Sequence, residues 1–173
     1  MLRWPLLFLL AALLGGCGLQ DYRQLAAERQ SAWDSLQSLQ AQRAGLALNL
    51  LTSARALPAV PATAITQLEH ARRQTLALPA SSSPDDLALL QQAVQAHTAL
   101  TQALAPVLTH ARQQPGLQPL VWQFEALDNR IRVAQQRYQL ATRRHNQLLA
   151  RFPSSLTARV QGLQPHALLP DTP

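Results

Sequence analysis

Residues 120–152 read LVWQFEALDNRIRVAQQRYQLATRRHNQLLARF. Within them Leu120, Phe124, Leu127, Ile131, Ala134, Tyr138, Ala141, His145, Leu148 and Phe152 recur with steps that alternate four and three. That spacing puts all ten on one stripe of an α-helix, the a/d seam by which a helix packs on others with a left-handed crossing. At about 1.5 Å per residue the stretch makes a rod of roughly 50 Å. Pro153 stops it, because a helix interior needs the backbone N–H that proline lacks. A long helix with one apolar stripe requires partners to cover that stripe in water.

The rest of the chain supplies such partners. From Asp21 to about Leu57 a second 3-4 seam runs through Leu25, Ala32, Leu36, Leu39, Leu46, Leu50 and Leu57, interrupted by Arg29, Arg43 and Ser53. Pro58 and Pro61 end it. A shorter helix is predicted from Thr63 to about Leu78, its seam made of Ala64 or Ile65, Leu68, Ala71 and Leu78. Pro79 to Ser83 is a loop. Ser83 then offers an N-cap, Pro84 a first helical residue, and Asp85-Asp86 negative charge for the positive helix end. That third helix carries the seam Leu87, Leu90, Val94, His97, Thr101, Leu104, Leu108 and Ala111, with Pro106 inside it as a kink or early stop. Gln114-Pro115-Gly116 turns the chain into the long helix. After Pro153 a short C-terminal helix is predicted over Ser154 to Val160, followed by a loose proline-containing tail, 164–173, in which Leu168-Leu169 can pack back. The expected fold is all-α: an antiparallel up-down-up-down four-helix bundle with long helices, over residues 21–163.

Several of these residues also form a pattern. Leu127-Asp128-Asn129-Arg130-Ile131, Ala134, Arg137-Tyr138, Asn146 and Phe152-Pro153, followed by Leu156, Ala158 and Gly162, resemble the C-terminal signature of the LemA family. Ala32-Trp33, Arg43-Ala44, Leu46 and Asn49-Leu50 resemble an upstream part of the same pattern. The family pattern tends to place an acid where Gly45 stands, a proline where Leu48 stands, and tyrosine-like residues where Gln139 and His145 fall. The resemblance implies an antiparallel helical architecture. It also implies an accessory role beside an envelope protein, such as a membrane peptidase or a maintenance system.

The first residues have a different character. Arg3 is followed by the unbroken apolar run Leu6 to Leu14, then Gly15-Gly16 and the only cysteine of the chain, Cys17. A charged start, a short apolar core and small residues make a secretory leader, and the run is too short to cross about 30 Å of hydrocarbon as a helix. Leu14-Gly15-Gly16-Cys17 resembles the lipobox of bacterial lipoproteins. On that pattern residues 1–16 are a signal peptide, Cys17 is acylated with palmitate-type chains, and 17–20 are a lipidated tether to the membrane. Acyl chains bury about 0.8 kcal/mol per CH₂, so several of them hold a protein to a bilayer for good. Gly18 and Leu19 follow the cysteine, with no aspartate directly after it. By the sorting habit of bacterial lipoproteins this favours the outer over the inner membrane, with the domain facing the periplasm.

A search for chemistry finds little. The lone cysteine lies in the leader and excludes an internal disulfide. Ser81-Ser82-Ser83 lack the strand-elbow context of a nucleophile. With 6 glycines there is no phosphate-cradling GxGxxG or Walker motif. No pair among the 9 acids is spaced for acid–base work. His97 and His145 both take seam positions, but the antiparallel register separates them by about nine residues, or ~13 Å, too far to share a zinc. No catalytic residue, cofactor or metal is therefore expected, and the chain reads as a non-enzyme. With 5% aromatic residues, an export leader and a net charge of only +6 on 173 residues, nucleic acid is not an expected partner either.

One pattern remains. With Phe124 at position a of the heptad, Arg130, Arg137, Arg144 and Arg151 fill four successive g positions, and from Asn129 to Pro170 there is no acid. This is either a basic contact ridge for an anionic partner or a flank whose aliphatic stems cover the seam. The expectation is partial neutralisation, with Arg144 and Arg151 paired and Arg130 and Arg137 free. The functional expectation is a lipid-anchored, non-enzymatic binding or scaffold module of the envelope. The alternative is a self-associating homo-oligomeric module that shapes or spaces the membrane, because the short second helix leaves part of the bundle covered on three sides only.

Overall fold

The computed structural model describes residues 3–79, 83–150 and 164–169, with residues 3–19 given as backbone alone. Among them the structure is all-helical, a helical bundle of four helices without a strand: α1 (Arg3–Ala54), α2 (Ala62–Leu76), α3 (Leu87–Ala111) and α4 (Gln118–Ala150). A single 3-10 turn, Pro115–Leu117, leads into α4. Helix α1 begins at Arg3, so the leader is drawn as helix ahead of the expected start at Asp21. The predicted helix over 154–160 and the residues Arg151 and Phe152 lie outside the described residues.

The chain divides into two compact units, residues 33–135 and residues 1–32 with 136–173. In the larger unit one core gathers Ala44, Ala47, Leu50, Leu51 and Ala54 of α1, Leu68 and Ala71 of α2, Leu100 to Ala111 of α3, and Val121 and Phe124 of α4. Small and large residues alternate, so helix backbones approach closely at the alanines while the leucines fill the space between them.

The seam of α4 is observed from Phe124 to His145, whereas Leu120 and Leu148 are half-buried, with Val121 and Leu149 buried beside them. Phe124, Leu127, Ile131 and Ala134 are buried in the larger unit, and Tyr138, Ala141 and His145 are buried in the smaller. On α2 the buried line is Ala64, Leu68, Ala71 and Thr75. Thr75 satisfies its hydroxyl on the carbonyls of Ala71 at 3.1 Å and Ala96 at 3.4 Å, which ties α2 to α3.

Helix α3 departs from expectation in two ways. Its cap is Asp86, whose carboxylate accepts from the N–H groups of Ala88 and Leu89; Ser83 instead accepts from Asp85 N–H in the preceding turn. Its buried stripe is Leu90, Ala93, Ala96, Leu100, Ala103, Leu104, Val107, Leu108 and Ala111. Leu87 is 55% exposed and Thr101 is exposed, so the predicted seam was turned partly toward water. Pro106 neither ends nor shortens the helix, since it sits on the exposed side, where the carbonyl it leaves without a donor can reach solvent.

Helix α1 ends three residues before Leu57. The amides of Ala56 and Leu57 reach back only three residues, to Ser53 and Ala54, and this tightening precedes Pro58.

Candidate functional site

Arg43 stands on the apolar seam of α1, where an unpaired guanidinium would be costly to bury. The fold gives it partners from two other helices of the larger unit. Its Nη1 donates to Thr101 Oγ1 of α3 at 2.7 Å, and its Nε lies 2.8 Å from Asp128 Oδ1 of α4. The Arg43 side chain is 8% exposed, whereas that of Asp128 is 39% exposed. Burial lowers the Arg43 pKa, an effect that the Asp128 charge opposes. Burial likewise pushes the Asp128 carboxyl up, against the pull of Arg43, Arg132 and Arg112. His97, one turn before Thr101, is held down to about 4, first by burial and then by the positive charge of Arg43. It is therefore neutral at neutral pH.

Thr101, His97 and Asp128 are the residue types of a hydrolytic triad, but the wiring is different. Thr101 gives its proton to the His97 backbone carbonyl at 2.8 Å and receives one from Arg43. Asp128 faces the guanidinium. Arg43 is thus the centre of a clamp that joins α1, α3 and α4. His97 also lines a groove of about 270 Å³ with Asp34, Gln37, Ser38 and Ala41 of α1, Thr75 and Leu76 of α2, and Leu78 and Pro79 beyond it. Its lining mixes the apolar Ala41, Leu76, Leu78 and Pro79 with the amide of Gln37, the hydroxyls of Ser38 and Thr75 and the carboxylate of Asp34. A second hollow between α2 and α3, of about 510 Å³, is lined by Thr66, Gln67, His70, Ala71, Gln74, Ala99, Gln102 and Ala103.

The smaller unit holds its own polar centre. His145 is fully buried, with the Tyr22 ring centred 4.9 Å away and the His166 ring 4.8 Å away. Asn146 brackets the His166 backbone: its Nδ2 donates to the His166 carbonyl and its Oδ1 accepts from the His166 N–H, both at 2.9 Å. Gln139 Nε2 donates to the Leu169 carbonyl at 3.4 Å. The segment 164–169, read from sequence as loose, is held at these points on α4. Leu169 is half-buried there, while Leu168 stays 45% exposed.

The predicted contact residues separate. Arg144 pairs with Glu28 at 3.4 Å, both side chains being about half exposed. Arg130 and Arg137 are exposed, with no ion pair among the described residues. Arg151 lies outside the described residues, and so does the side chain of Cys17. Among the described residues no three of histidine, cysteine, aspartate and glutamate gather into a metal-holding group. No described helix is long and apolar enough to cross a membrane.

Two features escaped the sequence reading. In the sequence Arg43 stands as an interruption of a seam; an arginine on an apolar stripe signals a buried partner, and Asp128 beside the seam residue Leu127 is an acid available to it. The Asn146 bracket on His166 has no sequence signal, because it recognises backbone.

No curated protein matches the chain. The family model described as LemA family matches residues 32–170, which takes in Arg43, Thr101, Asp128, Asn146 and His166, and the chain belongs to the LemA family.

Proposed function

We propose that the protein is a lipid-anchored, non-catalytic helical binding module of the bacterial envelope, tethered through Cys17. The observation that carries this reading is the position of the one cysteine, directly after Leu14-Gly15-Gly16 at the end of the apolar run Leu6 to Leu14. The arrangement of Arg43, Thr101 and Asp128 supports the non-catalytic part, since Thr101 gives its proton to a backbone carbonyl and accepts from Arg43, whose guanidinium is paired with Asp128. The groove beside His97 supports binding, as a place for one side chain of an envelope partner, an accessory role to a peptidase or maintenance system. The protein faces the periplasm and sits by preference on the outer membrane. Labelled palmitate tests the anchor: wild type incorporates it and Cys17→Ser does not. Equal labelling of the two would remove the reading.

The second reading is a self-associating module. It draws on α2, which has 15 residues against 33 in α4. The mass of the purified protein in solution separates the two: a stable dimer favours self-association, a monomer the adaptor.

A further inference from the structure

The outward face of α4 within residues 118–135 is not polar throughout. Trp122 is 63% exposed and Val133 is 41% exposed. The eleven residue steps from one to the other correspond to about 1100° of rotation, so the two side chains project within roughly 20° of one line. Ala126 and Asn129, both exposed, fill the same line. Arg130 and Arg132 rise on its two shoulders, exposed and without an ion pair among the described residues. The acids of this stretch are engaged: Glu125 with Arg112 at 3.3 Å, and Asp128 with Arg43 on the inner side. The result is a largely apolar line headed by an indole, with the exposed guanidinium of Arg130 on one shoulder and that of Arg132, which also acts on Asp128, on the other.

We propose that this face of α4 rests on the anionic surface of a lipid leaflet, with the Trp122 indole at the headgroup boundary and Arg130 and Arg132 on lipid phosphates. Three properties select this occupant. An indole has an apolar body and one N–H donor, which suits the boundary between acyl chains and headgroups. A guanidinium meets a phosphate through two parallel N–H donors. A single convex helix face places these groups along one ridge, which a fluid leaflet accepts without a matching shape. The proposal rests on the anchor reading, because a tethered domain meets its own leaflet at high effective concentration and a weak contact then suffices.

The test uses the full chain, purified in detergent and reconstituted into phosphatidylcholine vesicles with or without phosphatidylglycerol. Lipids brominated in the acyl chains quench an indole at the boundary, and aqueous acrylamide quenches an indole in water. Subtracting the signal of Trp122→Phe isolates this one indole from the buried Trp33. The expected result is bromolipid quenching of Trp122 in the anionic vesicles alone, reversed by high salt. Arg130→Gln and Arg132→Gln should each lower the ratio of shielded to unshielded indole about fivefold. Equal acrylamide quenching in both vesicle types overturns the proposal. So does shielding that grows with protein concentration in detergent, which assigns the face to a second copy of the chain. Flotation with neutral vesicles, present in wild type and lost in Cys17→Ser, reads the anchor separately, so failure of the anchor and failure of the Trp122 contact give different results.

Discussion

Arg43 Nε stands 2.8 Å from Asp128 Oδ1, and the two differ sharply in their access to water: 8% exposure for the arginine side chain, 39% for the aspartate. The pair is thus asymmetric. The arginine depends on the aspartate, while the aspartate can turn to solvent. Removing either partner should expose that difference.

Asp128→Ala leaves a buried guanidinium with Thr101 as its remaining side-chain partner, and such a loss costs about 2–4 kcal/mol. Arg43→Met keeps the length and the apolar stem and leaves a carboxylate that water can reach, so its cost is about 0–1 kcal/mol. Urea unfolding of the two variants measures this directly. Equal costs would show that the clamp works by packing rather than by charge.

His97 makes stability depend on pH. Its folded pKa of about 4 lies below the ordinary histidine value of 6.5, so the folded state resists taking a proton. The stability it contributes is present above pH 6.5 and is lost as pH falls through about 4. A shift of that size corresponds to up to about 3 kcal/mol between neutral and acid conditions. The raised pKa of Asp128 acts in the opposite sense, because the folded state holds that proton longer as pH rises. His97→Gln should therefore flatten the fall in melting temperature between about pH 6.5 and 4, whereas His70→Gln, at an exposed position, should leave it in place. An unchanged slope in His97→Gln would remove His97 as the cause.

The seam of α4 should behave as a core. Leu127→Ala and Ile131→Ala each remove a large buried side chain and should cost about 2–5 kcal/mol. Gln123→Ala, on the exposed face, should stay within about 0.5 kcal/mol. Denaturant midpoints that do not separate these variants would place the core of this helix elsewhere.

Why α4 was legible and α3 less so follows from their residues. On α4 most positions between the seam residues are arginine, glutamine or asparagine, and the exposed large apolar ones that remain, Trp122, Val133 and Leu140, do not form a second continuous 3-4 run, so one stripe fits the spacing. On α3, Leu87, Leu89, Leu90, Ala93, Val94 and Ala96 are apolar on neighbouring faces, and two seams fit equally well. Packing chose the one through the alanines, because small residues let α2 and α3 approach. The cap was ambiguous for a similar reason: Ser83, Asp85 and Asp86 are all good acceptors at a helix start, and only the backbone turn decides among them. The Arg43 clamp was half legible. A guanidinium on an apolar seam announces a partner, but which acid meets it depends on helix register, which spacing along one helix does not contain.

Asn146 holds the last described segment of the chain in the smaller unit. It gives and accepts one hydrogen bond with the His166 backbone, and His166 in turn lies against the buried His145 ring. Each bond contributes about 0.5–1.5 kcal/mol, so losing both should release the segment locally without unfolding the helices. Asn146→Ala should raise the exchange rate of the His166 amide, and of its neighbours in 164–169, by one to two orders of magnitude, roughly the factor that 1.4–3 kcal/mol produces. Asn146→Asp offers a graded comparison. A carboxylate still accepts from the His166 N–H but cannot donate to the His166 carbonyl, so its effect should fall between wild type and alanine. Hydrogen exchange read by mass spectrometry on peptides covering 164–169 and α4 gives the answer. If Asn146→Ala leaves the segment as protected as in wild type, the histidine ring contact rather than the asparagine bracket is what fixes it, and His166→Ala becomes the variant that should let it go.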